Sequence, residues 1–206
     1  MDNHKNSENK LFSRNIVEFV TVAVEYCNFI ENSQEISALD FSQATNKILP
    51  LMYLKASLLP NINIDEENST EDFVNEDIYN YVQNLISAKF GENDLDCDVP
   101  ETSSQNGENT TATISEILAD IYQDLKNFAM NYRTNNEIVM NESLHNCKLN
   151  FEKYWGERLL SALLSFHKLI YGETDWESAN ISMNNKETDT SNWLISQRQQ
   201  EWENEF

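Results

Sequence analysis

The chain has 206 residues, 40% of them apolar, and its 35 acids against 14 bases give a formal net charge of −21. That much apolar material can fill one sizeable core. Only four glycines and three prolines occur, so tight turns are few, which argues against a many-stranded β protein and for long helices. The charge disfavours electrostatic capture of nucleic acid or of an anionic membrane. No run of about 18 uncharged apolar residues is present, as a membrane span would need. Residues 1–10 are polar and lack the apolar stretch of a secretory signal, so a cytoplasmic protein is expected. Cys27, Cys97 and Cys147 are odd in number and widely spaced. With no C-x-x-C pair they signal neither a zinc site nor a redox motif, and they suit a reducing compartment.

In chain order, Ile16, Phe19, Val20, Ala23, Cys27 and Ile30 recur on one helical face and predict a first helix over residues 13–31. Val17, Val22, Val24 and Tyr26 widen that face, which places this helix at the centre of a bundle. Ser37-Ala-Leu-Asp40 is an acidic variant of the capping box and opens a second helix. Pro50 lacks an N–H and is expected to kink it, with an apolar half following over 51–59. Residues 61–68 read as an acidic loop. A third helix is predicted over 72–90, closed by Gly91.

Residues 92–112 are polar and read as a mobile connection. Thr113-Ile-Ser-Glu116 is a full capping box for a fourth helix, which carries Ile117, Leu118, Ile121, Leu125 and Phe128. A fifth helix is predicted from about 137 to 171, with Met140, Leu144, Cys147, Phe151, Trp155, Leu159 and Phe166 inward, a bend near Gly156 and a cap at Gly172. The remainder, 173–206, is polar and Asn-rich, with a short helix expected over 193–203. The expected organisation is a polar segment 1–12, an all-α domain 13–172 built as a bundle of about five main helices with one kinked at the proline, and a polar tail 173–206.

Residues 61–112 carry 13 acids and one base, and residues 173–206 carry eight acids and two bases. The rest holds 14 acids and 11 bases and is nearly neutral. Most of the acidity therefore sits outside the expected bundle core, where it favours solubility over a rigid nucleic-acid mimic.

Within the neutral part, Glu116, Asp120, Gln123 and Asp124 fall on one flank of the fourth helix. Such carboxylates can hold a divalent cation or a basic partner. In the plainer reading, Glu116 closes the capping box and the aspartates serve the helix dipole or nearby cations. Glu152, Trp155, Arg158 and His167 lie on the fifth helix. Arg158 is spaced to stack on Trp155, and His167 is expected as a buried, hydrogen-bonded histidine or as part of a groove facing the acids. Lys55 and Tyr53 are further polar tips in an apolar stretch of the second helix. Glu142-Ser-Leu-His145 is a single E-x-x-H, where di-iron bundles need two. Asp94, Asp96 and Asp98 imitate an EF-hand start, but Val99 and Gln105 stand at the sixth and twelfth positions, so a calcium loop is excluded. No E-x-x-E, P-loop or G-x-G-x-x-G is present. No cofactor and no resident metal are expected.

Three stretches resemble one helical bacterial family, domain of unknown function 5063. They are residues 17–27, VEFVTVAVEYC, residues 49–60, LPLMYLKASLLP, and residues 114–128, ISEILADIYQDLKNF, the last continuing to the FEKYWG run at 151–156 and to His167. The resemblance spans about residues 14–171. It implies an all-helical fold and carries no catalytic role. The 92–112 stretch is more polar than the family pattern, and Leu164-Ser165 stands where a basic residue is expected before His167.

The leading expectation is a protein-interaction or adaptor module, binding a protein partner or itself through the Glu116/Asp120/Asp124 flank and exposed aromatics. The alternative is an enzyme or small-ligand binder, metal-dependent or not, using Asp120, Asp124, Glu152 and His167 between the fourth and fifth helices.

Overall fold

The structure is a computed structural model that describes residues 11–62, 70–100, 109–174 and 176. Helix α1 spans Arg14–Glu31 and buries Ile16, Phe19, Ala23, Tyr26, Cys27 and Ile30 along one stripe. Helix α2 spans Ala38–Ser57, and the Ser37 hydroxyl caps it by accepting from the Asp40 N–H at 3.1 Å. Helix α2 continues through Pro50 to Ser57. The proline therefore does not divide it, and Leu51, Leu54 and Leu58 beyond it are exposed.

Helix α3 begins at Glu76, later than the spacing predicts, and ends at Phe90, with Gly91 at φ 53° taking the left-handed cap position. Residues 71–74 precede it without helical structure because side chains of the next helix capture their backbone. Asn127 Oδ1 accepts from the N–H groups of Phe73 and Val74, and Asn131 both accepts from the Glu71 N–H and donates to its carbonyl.

Of the polar 92–112 stretch expected as a connection, residues 92–100 and 109–112 are described and partly paired, and 101–108 lie outside the described residues. Residues 91–93 form a 3₁₀ turn, and strands β1 (Asp96–Pro100) and β2 (Asn109–Thr113) pair antiparallel, with Cys97 opposite Ala112 and Val99 opposite Thr110. The cause is alternation. Cys97, Val99 and Ala112 are buried, while Asp96 and Asp98 are not. Ser165 Oγ lies 3.1 Å from Cys97 Sγ, and Ser161 donates to the Asp98 carbonyl, so the hairpin is pinned to the last helix.

Helix α4 spans Ile114–Arg133 with both halves of its capping box formed at Thr113 and Glu116. Helix α5 (Glu137–Asn150), a π-helical turn (Phe151–Trp155) and helix α6 (Gly156–Tyr171) follow as one interrupted rod. The fold is all-α with one small hairpin. Helix α1 packs on α2 and α4, and α6 completes the square against the same two; α3 and α5 flank α4. The hub is thus α4 and not the more apolar α1, whose Val17 is exposed.

Polar clasps join these layers. The Tyr26 hydroxyl donates to the Leu118 carbonyl, and Glu31 accepts from Tyr122 and Lys126, tying α1 to α4. Lys89 is fully buried over the Phe41 ring and donates to the Ser33 and Ile36 carbonyls. Burial pushes its ammonium down to about 8, partly offset by Glu35. His145, of the lone E-x-x-H, meets the Ile62 carbonyl through Nδ1 at 2.9 Å. Lys55 pairs with Glu18 on α1, and Tyr53 packs edge-on to Phe151. Trp176 is partly buried against the core, and the helix expected over 193–203 lies outside the described residues. Among the described residues no helix is long and apolar enough to cross a membrane.

The π turn is held by the Gly156 N–H donating to the Phe151 carbonyl, five residues back. A Cβ at position 156 would sit 2.4 Å from that same oxygen. Gly156→Ala is therefore expected to destabilise the domain by about 1–3 kcal/mol through forced backbone movement. Urea unfolding of the purified variant measures this.

Candidate functional site

The capping box fixes the start of α4, and one turn later Asp120 leaves its flank toward three other segments. Asp120 Oδ1 accepts from the Tyr79 hydroxyl of α3 at 2.9 Å. Asp120 Oδ2 accepts from the Tyr154 hydroxyl of the π turn at 2.8 Å and from the Arg158 guanidinium of α6 at 3.2 Å. The carboxylate side chain is only 12% exposed and its Arg158 partner 20%. Arg158 lies over the Tyr154 ring, 4.4 Å from its centroid. It does not stack on Trp155 as the spacing suggests, because Trp155 turns fully into the core against Phe151. The Trp155 indole N–H has no acceptor among the described residues. Burial and the Asp120 charge push the Tyr154 hydroxyl up to about 12, so it stays a protonated donor.

The other predicted residues separate. Glu116 Oε2 accepts from the Thr113 N–H and serves the cap. Gln123 donates to the Val74 carbonyl at 3.4 Å and helps hold the 71–74 segment. Asp124 accepts from the Asn150 side-chain amide of α5 at 2.7 Å. Glu152 is about half exposed and lies 3.6 Å from Lys148. His167 is exposed, with its ring against Tyr171 at 4.7 Å, and is not the buried histidine expected. It lies nine residues beyond Arg158, about 13 Å along the helix. His167 therefore lies apart from the Asp120 cluster. Among the described residues no group of three or more His, Cys, Asp or Glu side chains is arranged to hold a metal ion. Tyr79, Tyr154 and Asn150, which complete the two aspartate sites, carry no motif that marks them in the sequence.

A family model for a domain of unknown function, DUF5063, matches residues 10–172. The chain belongs to this family. It is also similar to the crystal structure of protein BF1032 from Bacteroides fragilis, a structural-genomics target, at 36% identity and a TM-score of 0.70, covering 79% of this chain and 96% of that one. No curated protein matches the sequence.

In this DUF5063 domain the two aspartates differ in environment. Asp120 is answered by a cation and two hydroxyls. Burial pushes the Asp124 carboxyl up to about 6; its bond from Asn150 opposes the shift and the nearby Asp120 charge adds to it. Its ordinary value is 3.8. A carboxyl with a raised native pKa stabilises the fold fully below its unfolded value, and that contribution is lost as pH rises through about 6. Asp124→Asn keeps the shape and the acceptor for Asn150. The variant is expected to match the native protein near pH 4 and to exceed it by about 1–3 kcal/mol at pH 7. Chemical denaturation of both proteins across this range reads the difference. Asp120→Ala strands two hydroxyls and a guanidinium in a half-dry site, and a loss of about 2–4 kcal/mol is expected in the same assay at pH 7.

Proposed function

We propose that this DUF5063 protein is a non-catalytic interaction module that docks a protein partner on the outer face of α2. The observation that carries the reading is an exposed apolar stripe, Leu51, Leu54 and Leu58, at i, i+3 and i+7 on one helix face, with Lys47 one turn before it. The polar side chains first considered for docking are engaged inside the domain: Asp120 by three donors, Asp124 by Asn150 and Glu116 by the cap. That moves the docking surface from the acidic flank to the leucines. The three cysteines are buried and unpaired, which supports a reducing compartment such as the bacterial cytoplasm.

One observation favours the second reading, a small-ligand or catalytic site. Asp124 has a carboxyl raised to about 6 beside a second aspartate, a pairing that recurs at functional sites. Its bond to Asn150, and the exposed position of His167 against Tyr171, favour the structural role.

The docking reading is tested with the full chain by light scattering coupled to size exclusion and by capture from a bacterial lysate. Self-association or a retained partner is expected, and Leu54→Lys should abolish it with little change in Tm, since Leu54 is 52% exposed. A strict monomer that retains nothing would overturn the proposal.

A further inference from the structure

The β1–β2 hairpin has two edges of different kinds. Opposite residues in an antiparallel ladder alternate between exchanging both backbone hydrogen bonds and exchanging none. The Ile114 N–H donates to the Leu95 carbonyl, and the register pairs Asp96 with Thr113, so the bonded pairs are 95/114, 97/112 and 99/110. The backbone groups of residues 96, 98 and 100 on β1, and of 109, 111 and 113 on β2, therefore point away from the ladder. On β1 this edge is occupied: α6 packs along it, and the Asp98 carbonyl accepts from Ser161. Pro100 has no N–H to leave unpaired there. On β2 the Thr113 N–H is taken by Glu116 Oε2. The outward N–H and carbonyl of Thr111 meet no partner among the described residues. Proteins commonly blunt such an edge with lysine or proline. Strand β2, Asn-Thr-Thr-Ala-Thr, has neither.

The face beside the open edge is acidic. Asp96 and Asp98 are exposed, and their carboxylates have no hydrogen bond or ion pair among the described residues. Only their cross-strand partners Thr113 and Thr111 stand between them and the edge. On α6, exposed Glu157 lies one turn before Ser161, and exposed Lys168 is close enough for its charge to act on Cys97. These two offset each other, and Arg158 is held by Asp120, which leaves Asp96 and Asp98 unanswered. The opposite face of the hairpin, Cys97, Val99 and Ala112, is buried and apolar.

We propose that the open edge of β2 takes up an extended basic segment of a partner protein as a third strand. Thr111 supplies the backbone pairing. Alternate side chains of the added strand are apolar, continuing the Cys97–Ala112 row, and basic, in line with Thr111 and Asp98. The added strand stands roughly 9–10 Å from β1, two strand spacings away, and a lysine or arginine side chain covers most of that distance over the small Thr111. A second copy of this chain suits the edge less well. Its β2 carries no base, and it would bring a second Asp96 and Asp98 to the same face. This surface is separate from the α2 leucines, and Leu54→Lys does not touch it.

Amide exchange measured by NMR on the full chain tests the proposal, with an alternating lysine–valine decapeptide as the probe. At millimolar peptide the Thr111 amide is expected to slow at least about tenfold. The Ala112 amide, already inside the ladder, should keep its rate. An alternating glutamate–valine decapeptide should give no slowing. Neither should the lysine–valine peptide N-methylated at every lysine, the residues that would face Thr111. Asp96→Asn combined with Asp98→Asn should weaken binding of the lysine–valine peptide at least about threefold. Four results overturn the proposal. They are no slowing with the lysine–valine peptide, equal slowing with either control peptide, unchanged affinity in the double variant, and a Thr111 amide already slow without peptide. The last would assign the edge to this chain or, if it grows with protein concentration, to a second copy.

Discussion

Helix α4 is enclosed by α1, α3, α5 and α6, so the polar side chains it turns inward must find a partner inside the protein or lose their hydration unrepaid. The α4 contacts follow from that constraint. Asp120 takes a hydroxyl from α3, a hydroxyl from the π turn and a guanidinium from α6. Tyr122 and Lys126 reach Glu31 on α1. Asn127 and Asn131 turn to the backbone before α3. Apolar burial supplies the driving force and tolerates sliding between helices. These bonds are directional, and each holds one neighbour at one height along α4.

The helices were legible because their signals are local. The 3.6-residue period of α1 and α4, the caps at Ser37 and Thr113 and the glycine after Phe90 depend on residues a turn apart. The features that escaped are set across space. Asp96-Cys-Asp-Val99 alternates over too few residues to announce a strand, and β2 is mostly Thr and Asn; burial against Ser161 and Ser165 of α6 decides the hairpin. The Tyr79 and Tyr154 partners of Asp120 are 41 and 34 residues away in sequence. The late start of α3 has the same origin, since Asn127 and Asn131 offer the 71–74 backbone an alternative to helical bonding.

The π turn did leave a trace. Inward residues of the last rod step by four three times in succession, Cys147, Phe151, Trp155 and Leu159, between stretches that alternate three and four. Each step of four overshoots an α-helical face by about 40°, so a straight helix would carry the stripe off the core. One wide turn absorbs the excess residue. It also brings Trp155 inward while Tyr154 and Arg158 face Asp120. The irregularity of the rod and the geometry of the aspartate site are thus one feature. Gly156 permits it, because any side chain there would meet the Phe151 carbonyl.

The distribution of charge fits this economy. Acids of the bundle that turn inward are few, and most are answered: Glu31 by Lys126, Asp120 by Arg158. Asp124 differs: burial raises its carboxyl, and the neutral Asn150 amide offsets that only in part. Most of the net charge lies in 61–112 and 173–206. The domain also keeps large apolar side chains exposed in two runs at helical spacing. The leucines of α2 and the Leu160-to-Tyr171 face of α6 are those side chains. They lie on helices already braced by the core, so docking there costs little ordering entropy on this side of the interface.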